Sequence, residues 1–109
     1  MISYFVRYRG TSSDPNGFRD YYETRHARIL REFTNIRSLV LHEPTEWVDP
    51  FPVQPGKTLL LAQMVFENTN ALNTALKSDA RRRARSDFHL FPEFAGAITH
   101  EAMSGKVVF

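Results

Sequence analysis

Residues 17–30 read Gly17-Phe18-Arg19-Asp20-Tyr21-Tyr22-Glu23-Thr24-Arg25-His26-Ala27-Arg28-Ile29-Leu30. Phe18, Tyr22 and His26 recur at intervals of four and hand over to Ile29, Leu30 and Phe33. At helical spacing such residues share one face, so an ionisable ring sits inside an apolar stripe. That face has to pack against something, which places His26 between helix and core as either a packed structural group or a catalytic one. Asp14-Pro15 offers an N-cap followed by proline at the first helical position. The spacing predicts a helix running to about Glu32 or Phe33, with Arg25, Arg28 and Arg31 on its outer side near the negative end.

Upstream, residues 2–9 alternate, with Ile2, Tyr4, Val6 and Tyr8 on one face and Ser3, Phe5, Arg7 and Arg9 on the other, as a strand requires. Downstream, residues 36–43 form a second strand candidate in which His42 shares a face with Val40 and Ser38. Four of the six prolines gather between Pro44 and Lys57 together with Trp47 and Phe51, so this is an extended loop, either a lid over a pocket or a contact with another subunit. Thr58 to Phe66 is nearly all apolar, the mark of a strand covered on both faces. Asn68 or Thr69 caps a short helix that turns Leu72, Ala75 and Leu76 inward, and Ser78 or Asp79 caps the next, which carries a run of arginines to Phe88. Pro92 ends that helix, Phe88, Phe91 and Phe94 complete the core, and Gly96 to about Met103 supplies a fourth strand before the apolar end Val107-Val108-Phe109.

The order strand, helix, strand, strand, helix, strand is that of an α+β, ferredoxin-like split βαβ fold: a four-stranded antiparallel sheet with helices on one face. Its other face is left bare. Because the third strand is apolar on both sides, a second copy of the same sheet is the natural cover, giving a two-fold homodimer.

Composition bounds the rest. At 109 residues, 1–109 is one domain able to bury roughly two thirds of its unfolded surface without disulfide or metal. No apolar run approaches the ~20 residues of a membrane span, and the N-terminus lacks the layout of a secretory signal. The absence of Cys removes disulfides and thiol nucleophiles together and fits a cytoplasmic location. A pI near 9.2 suggests nucleic acid, but the net charge is only +2 and the basic residues are dispersed, so no nucleic-acid partner is expected. The dense patch Arg81-Arg82-Arg83-Ala84-Arg85 reads as a solvated helix face, with an anion site as the sharper alternative.

Over nearly its whole length the chain resembles the EthD family, named for ethyl tert-butyl ether degradation, within the dimeric α+β barrel superfamily. The likeness rests on a strand at the N-terminus, then Phe18, Tyr22 and His26 followed by Ala27, and later on the loop, the apolar strand, the Ser78-Asp79 helix start and the final strand. The family often has proline two places after the histidine; here Arg28 stands there, which leaves the helix unkinked and a cation beside the site. The resemblance implies a homodimer with a pocket between helix and sheet in each subunit. The wider superfamily is similar in fold to lactone isomerases, cofactor-free monooxygenases and decarboxylases, and to some haem binders.

An unperturbed histidine titrates at about 6.5, so His26 in a cleft could shuttle protons near neutral pH. Tyr22 one turn earlier and Tyr4 or Tyr8 on the first strand could orient the ring or hold a substrate oxygen. Phe18, His42 and Trp47 complete the candidate binding set. The four histidines lack paired spacing with carboxylates, which argues against a metal site, and no phosphate-cradling glycine motif points to a nucleotide cofactor. No cofactor is expected, with haem on His26 or His42 as the alternative. Two classes of function remain. One is a cofactor-independent enzyme of isomerase, decarboxylase or monooxygenase type, acting on an apolar aromatic or lactone-like molecule with His26 as acid or base. The other is a non-catalytic dimer that binds a hydrophobic ligand or serves a partner enzyme.

Overall fold

The computed structural model describes residues 1–109. Strands β1 (Ile2–Thr11), β2 (Ser38–His42), β3 (Thr58–Phe66) and β4 (Ala95–Ser104) form one sheet in the order β2-β3-β1-β4, every neighbouring pair antiparallel. The alternation read from β1 is the observed one: Tyr4, Val6 and Tyr8 are buried on the helix side, while Ser3, Phe5 and Arg7 are half-buried on the other. Register sets Tyr4 beside Met64 of β3 and Ala102 of β4. The ladder breaks once, between Tyr8 and Arg9, where Leu59 is the extra residue on β3.

The first helix begins as the sequence predicts. Asp14 accepts from the Gly17 amide at 3.0 Å with proline at the start of α1 (Pro15–Tyr21). The rest departs from the single regular helix expected. Tyr22–His26 is a turn of π-helix, followed by α2 (Ala27–Leu30) and a tight turn through Phe33 that ends at Asn35 in the left-handed region, φ 64°. Inside the wide turn the Thr24 hydroxyl donates to the Asp20 carbonyl at 2.6 Å, the local bond by which Ser and Thr compete with a helix's own ladder. Helices α3 (Thr69–Leu76) and α4 (Asp79–Asp87) are capped by Asn68 and Ser78, and α4 runs into a 3₁₀ turn at Phe88–Leu90.

All helices lie on one face of the sheet, and the core between them is one cluster. Phe18, Tyr22, Leu30, Leu60 and Phe66 are its largest fully buried members. Phe91 is buried as expected; Phe88 and Phe94 pack half-buried at its edge. β3 is covered on the helix side only, Leu60, Ala62, Met64 and Phe66 being buried and Leu61, Gln63 and Val65 half-exposed. Every residue of β4, an edge strand, is exposed. No helix is long and apolar enough to cross a membrane.

Candidate functional site

Four elements close on one hollow. The pleat of β1 lifts Tyr4, Val6 and Tyr8 toward the helices, the π turn presents Tyr22 and His26, and α4 brings Arg81, Ala84 and Arg85 across from β4, whose His100 and Ile98 complete the wall. The cavity holds about 430 Å³, and ten of its fifteen lining residues are hydrophobic. Such a chamber suits a small apolar body.

His26 is 6 % exposed, edged by Tyr22 (ring centroids 4.7 Å apart) and Phe91 (4.9 Å). Its Nδ1 lies 2.9 Å from Oδ2 of Asp87, and the other carboxylate oxygen of Asp87 accepts from the Tyr21 hydroxyl at 2.8 Å. A carboxylate only accepts, so the shared bond puts the imidazole proton on Nδ1 and leaves a lone pair on Nε2. Nε2 has no partner within the protein, yet no buried side-chain nitrogen or oxygen is left unpaired, so this atom opens onto the cavity that His26 lines. The same reasoning opens the hydroxyls of Tyr8 and Tyr22 to the cavity.

Burial pulls the His26 pKa below its ordinary value, opposed by the hydrogen bond and charge of Asp87. The ring therefore favours the neutral form, a base. Burial also pushes the phenols of Tyr8 and Tyr22 upward; at Tyr8 the Arg85 charge opposes the shift, and at Tyr22 the neighbouring Tyr8 adds to it. Both stay protonated and can donate to a substrate oxygen. An acceptor and two donors thus face one apolar hollow, the combination that proton abstraction from a carbon or oxygen acid requires.

Of the residues singled out from the sequence, His26, Tyr22, Tyr4 and Tyr8 meet in the cavity. Phe18 lies behind it, fully buried against Tyr8 and Phe91. His42 is on the opposite face of the sheet, its Nε2 2.9 Å from Gln63, because its place in β2 alternates with Leu41. His26 and His42 thus lie on opposite sides of the sheet. Trp47 is 57 % exposed in a loop that lines no part of the cavity, so within one chain the Pro44 to Lys57 segment is not a lid. Arg28 is exposed and contributes no cation to the cavity; Arg81 and Arg85 do. Nowhere do three His, Asp or Glu side chains converge as metal ligands would.

Sequence spacing missed Asp87 and Tyr21. Position 87 is sixty-one residues from His26, and only the packing of α4 on the first helical segment joins them. The signal available was a lone acid closing a helix of arginines.

Known structures share this architecture. An EthD family protein from Bacillus halodurans aligns with 97 % of this chain and 100 % of its own, at TM-score 0.71 and 17 % identity. The chain has the fold of this EthD family protein. A monooxygenase from Streptomyces coelicolor in complex with nanaomycin D aligns at TM-score 0.70 and 14 % identity, covering 99 % of this chain and 89 % of that one. A cofactor-independent oxygenase from Streptomyces nogalater aligns at 0.66 and 11 % identity, over 98 % and 94 %. No protein-family model matches the sequence, and no curated protein matches it.

Proposed function

We propose that this EthD-like chain is a cofactor-independent enzyme acting on a small apolar molecule, aromatic or lactone-like, with Nε2 of His26 as the base. The observation that carries this is the Tyr21–Asp87–His26 chain of hydrogen bonds, which ends on a free nitrogen inside an apolar cavity. Nε2 takes a proton from an acidic C–H or O–H of the ligand. The electron pair stays on the ligand as an enolate or phenolate, whose oxygen accepts from Tyr8 or Tyr22. Return of the proton from His26 to a different atom completes an isomerisation; where the proton taken is that of a β-keto carboxylic acid, breaking of the C–C bond releases carbon dioxide and leaves the enolate, and return of the proton from His26 to its carbon completes a decarboxylation. With dioxygen as co-reactant, a C–O bond formed by the carbanion gives a peroxide that takes the proton back from His26, and loss of water from the hydroperoxide leaves a carbonyl, the oxygenase chemistry named for the Streptomyces nogalater protein.

The test is exchange of substrate protons in heavy water across a panel of aromatic and lactone C–H acids, read by NMR. Wild type is expected to exchange at least one of them, and His26→Asn to slow that exchange by about 10²- to 10⁴-fold while folding normally. Equal rates in the variant exclude the base. No exchange anywhere in the panel favours the non-catalytic ligand-binding alternative.

A homodimer belongs to the same proposal. The bare face of the sheet carries Phe5, Val40, Leu61, Val65 and Met103, and Val107, Val108 and Phe109 stand exposed beyond β4. The accessible surface is 7738 Å², about 1,500 Å² more than the roughly 6,200 Å² typical of a folded monomer of 12.6 kDa. An excess of that order is what one partner of a large symmetric interface buries. A cytoplasmic location is part of the same proposal, and a chain without cysteine fits it.

A further inference from the structure

We propose that the cavity mouth is an anion subsite built by Arg81 and Arg85, and that the ligand is an organic acid: an apolar ring inside the cavity with its carboxylate held between these guanidinium groups. The inference rests on the cavity being the ligand site and is independent of His26 acting as a base.

The four arginines of α4 fall into two kinds. Arg82 and Arg83 face solvent and are satisfied, Arg82 by Asp79 at 3.4 Å and Arg83 by Asp79 at 3.3 Å and Glu32 at 3.1 Å. Arg81 and Arg85, four residues apart and so on one helix face, line the cavity, and neither bridges to a carboxylate. No Asp or Glu lines the cavity at all. Asp87, behind His26, is already taken by His26 and Tyr21. In a chain of net charge +2 this concentration is local, not a by-product of a strongly basic protein.

Two further observations bear on the guanidinium groups. Arg81 lies over the Tyr4 ring, 5.8 Å from its centroid, so its planar fork is held at the wall by a cation–π contact. On the facing strand, His100 has its pKa lowered by partial desolvation at the cavity wall and then by the charges of Arg81 and Arg85, which favours its neutral form and leaves the two arginines as the cations of the mouth. Unpaired guanidinium groups beside an apolar hollow gain most from a ligand that brings its own counter-charge, and a carboxylate matches the fork with two parallel hydrogen bonds. The hydrophobic majority of the lining selects a ring to carry that carboxylate rather than a bare inorganic anion.

The experiment is calorimetric titration of the full chain with naphthoate, neutral naphthamide and inorganic phosphate. Naphthoate is expected to bind at least ~10-fold more tightly than either of the others. Arg85→Gln, which alters an exposed side chain and leaves the core intact, and Arg81→Gln are each expected to weaken naphthoate about 10-fold and leave naphthamide unchanged. The proposal is overturned if acid and amide bind equally or naphthoate does not bind at millimolar concentration. It is also overturned if phosphate matches naphthoate, or if both variants bind naphthoate like wild type. His26→Asn separates this from the base: it should lose proton exchange while still binding naphthoate more tightly than naphthamide. Arginine-dependent binding without proton exchange sinks only the base, and proton exchange without arginine dependence sinks only the subsite.

Discussion

At the scale of single residues, His26 is defined by what holds its two nitrogens. Asp87 fixes Nδ1, and nothing in the protein holds Nε2. The bond and charge of Asp87 push the imidazole pKa up against the larger downward push of burial. Asp87→Asn should therefore lower the His26 pKa further, move the acid limb of any His26-dependent rate to lower pH, and reduce that rate by at least ~10-fold through loss of the tautomer. A titration of the ring protons by NMR reads the shift directly; a pKa that rises in the variant would refute the assignment. The same depressed pKa makes a stability statement. Above its unfolded value His26 is neutral in both states. As pH falls below that value the unfolded chain takes up a proton before the native one does, so acid favours unfolding. Urea midpoints should drop between about pH 7.5 and about pH 5.5, and drop less in His26→Asn, with His100 supplying a residual dependence of the same sign.

At the scale of elements, propensity and capping were readable. Asp14-Pro15, Asn68 and Ser78 start their helices where side-chain oxygens can accept backbone amides. The period-two pattern of β1 marks its buried face, and the strands fall within two residues of the predicted limits at every end. The π turn was not readable. It depends on Thr24 taking the Asp20 carbonyl while Tyr22 and His26 pack inward, a competition that periodicity does not encode. Nor did spacing reveal that Gly10 and Gly96 face each other across β1 and β4, both at φ 151°. A Cβ on Gly96 would stand 2.1 Å from the Arg9 carbonyl oxygen, and one on Gly10 would stand 2.1 Å from that of Ala95. Gly96→Ala should cost about 1–3 kcal/mol in denaturant unfolding, with β4 loosening first in hydrogen exchange. A change within error would mean that the two strands can separate at this point without penalty.

At the scale of the whole molecule, the chain measures 43 × 40 × 20 Å. The short axis is about one sheet and one helix layer thick. A two-layer slab leaves one sheet face without a cover, and here that face mixes apolar side chains with a hydrogen-bonded row from Ser3 through Gln63 to His42. Leu61 sits on that face, outside the helix-side core. Leu61→Glu should leave the secondary structure unchanged and convert a dimer into monomer in sedimentation velocity, because a carboxylate buried at a two-fold interface meets its own copy. A wild-type chain that sediments as a concentration-independent monomer removes the homodimer from the proposal. The exposed Trp47 loop belongs to the same question, since its fluorescence reports whether a second copy covers it.

The order of elements, their caps, the inward face of the first helix and the ferredoxin-like fold followed from the sequence alone. These depend on local periodicity and on backbone groups satisfied within a few residues. The placing of Asp87 against His26, the opening of Nε2 onto a cavity, and the division of four arginines into two paired and two unpaired were decided only by tertiary structure. Each depends on how α4 packs across the sheet from residues distant in the chain, and no interval between two positions records the distance at which their side chains meet.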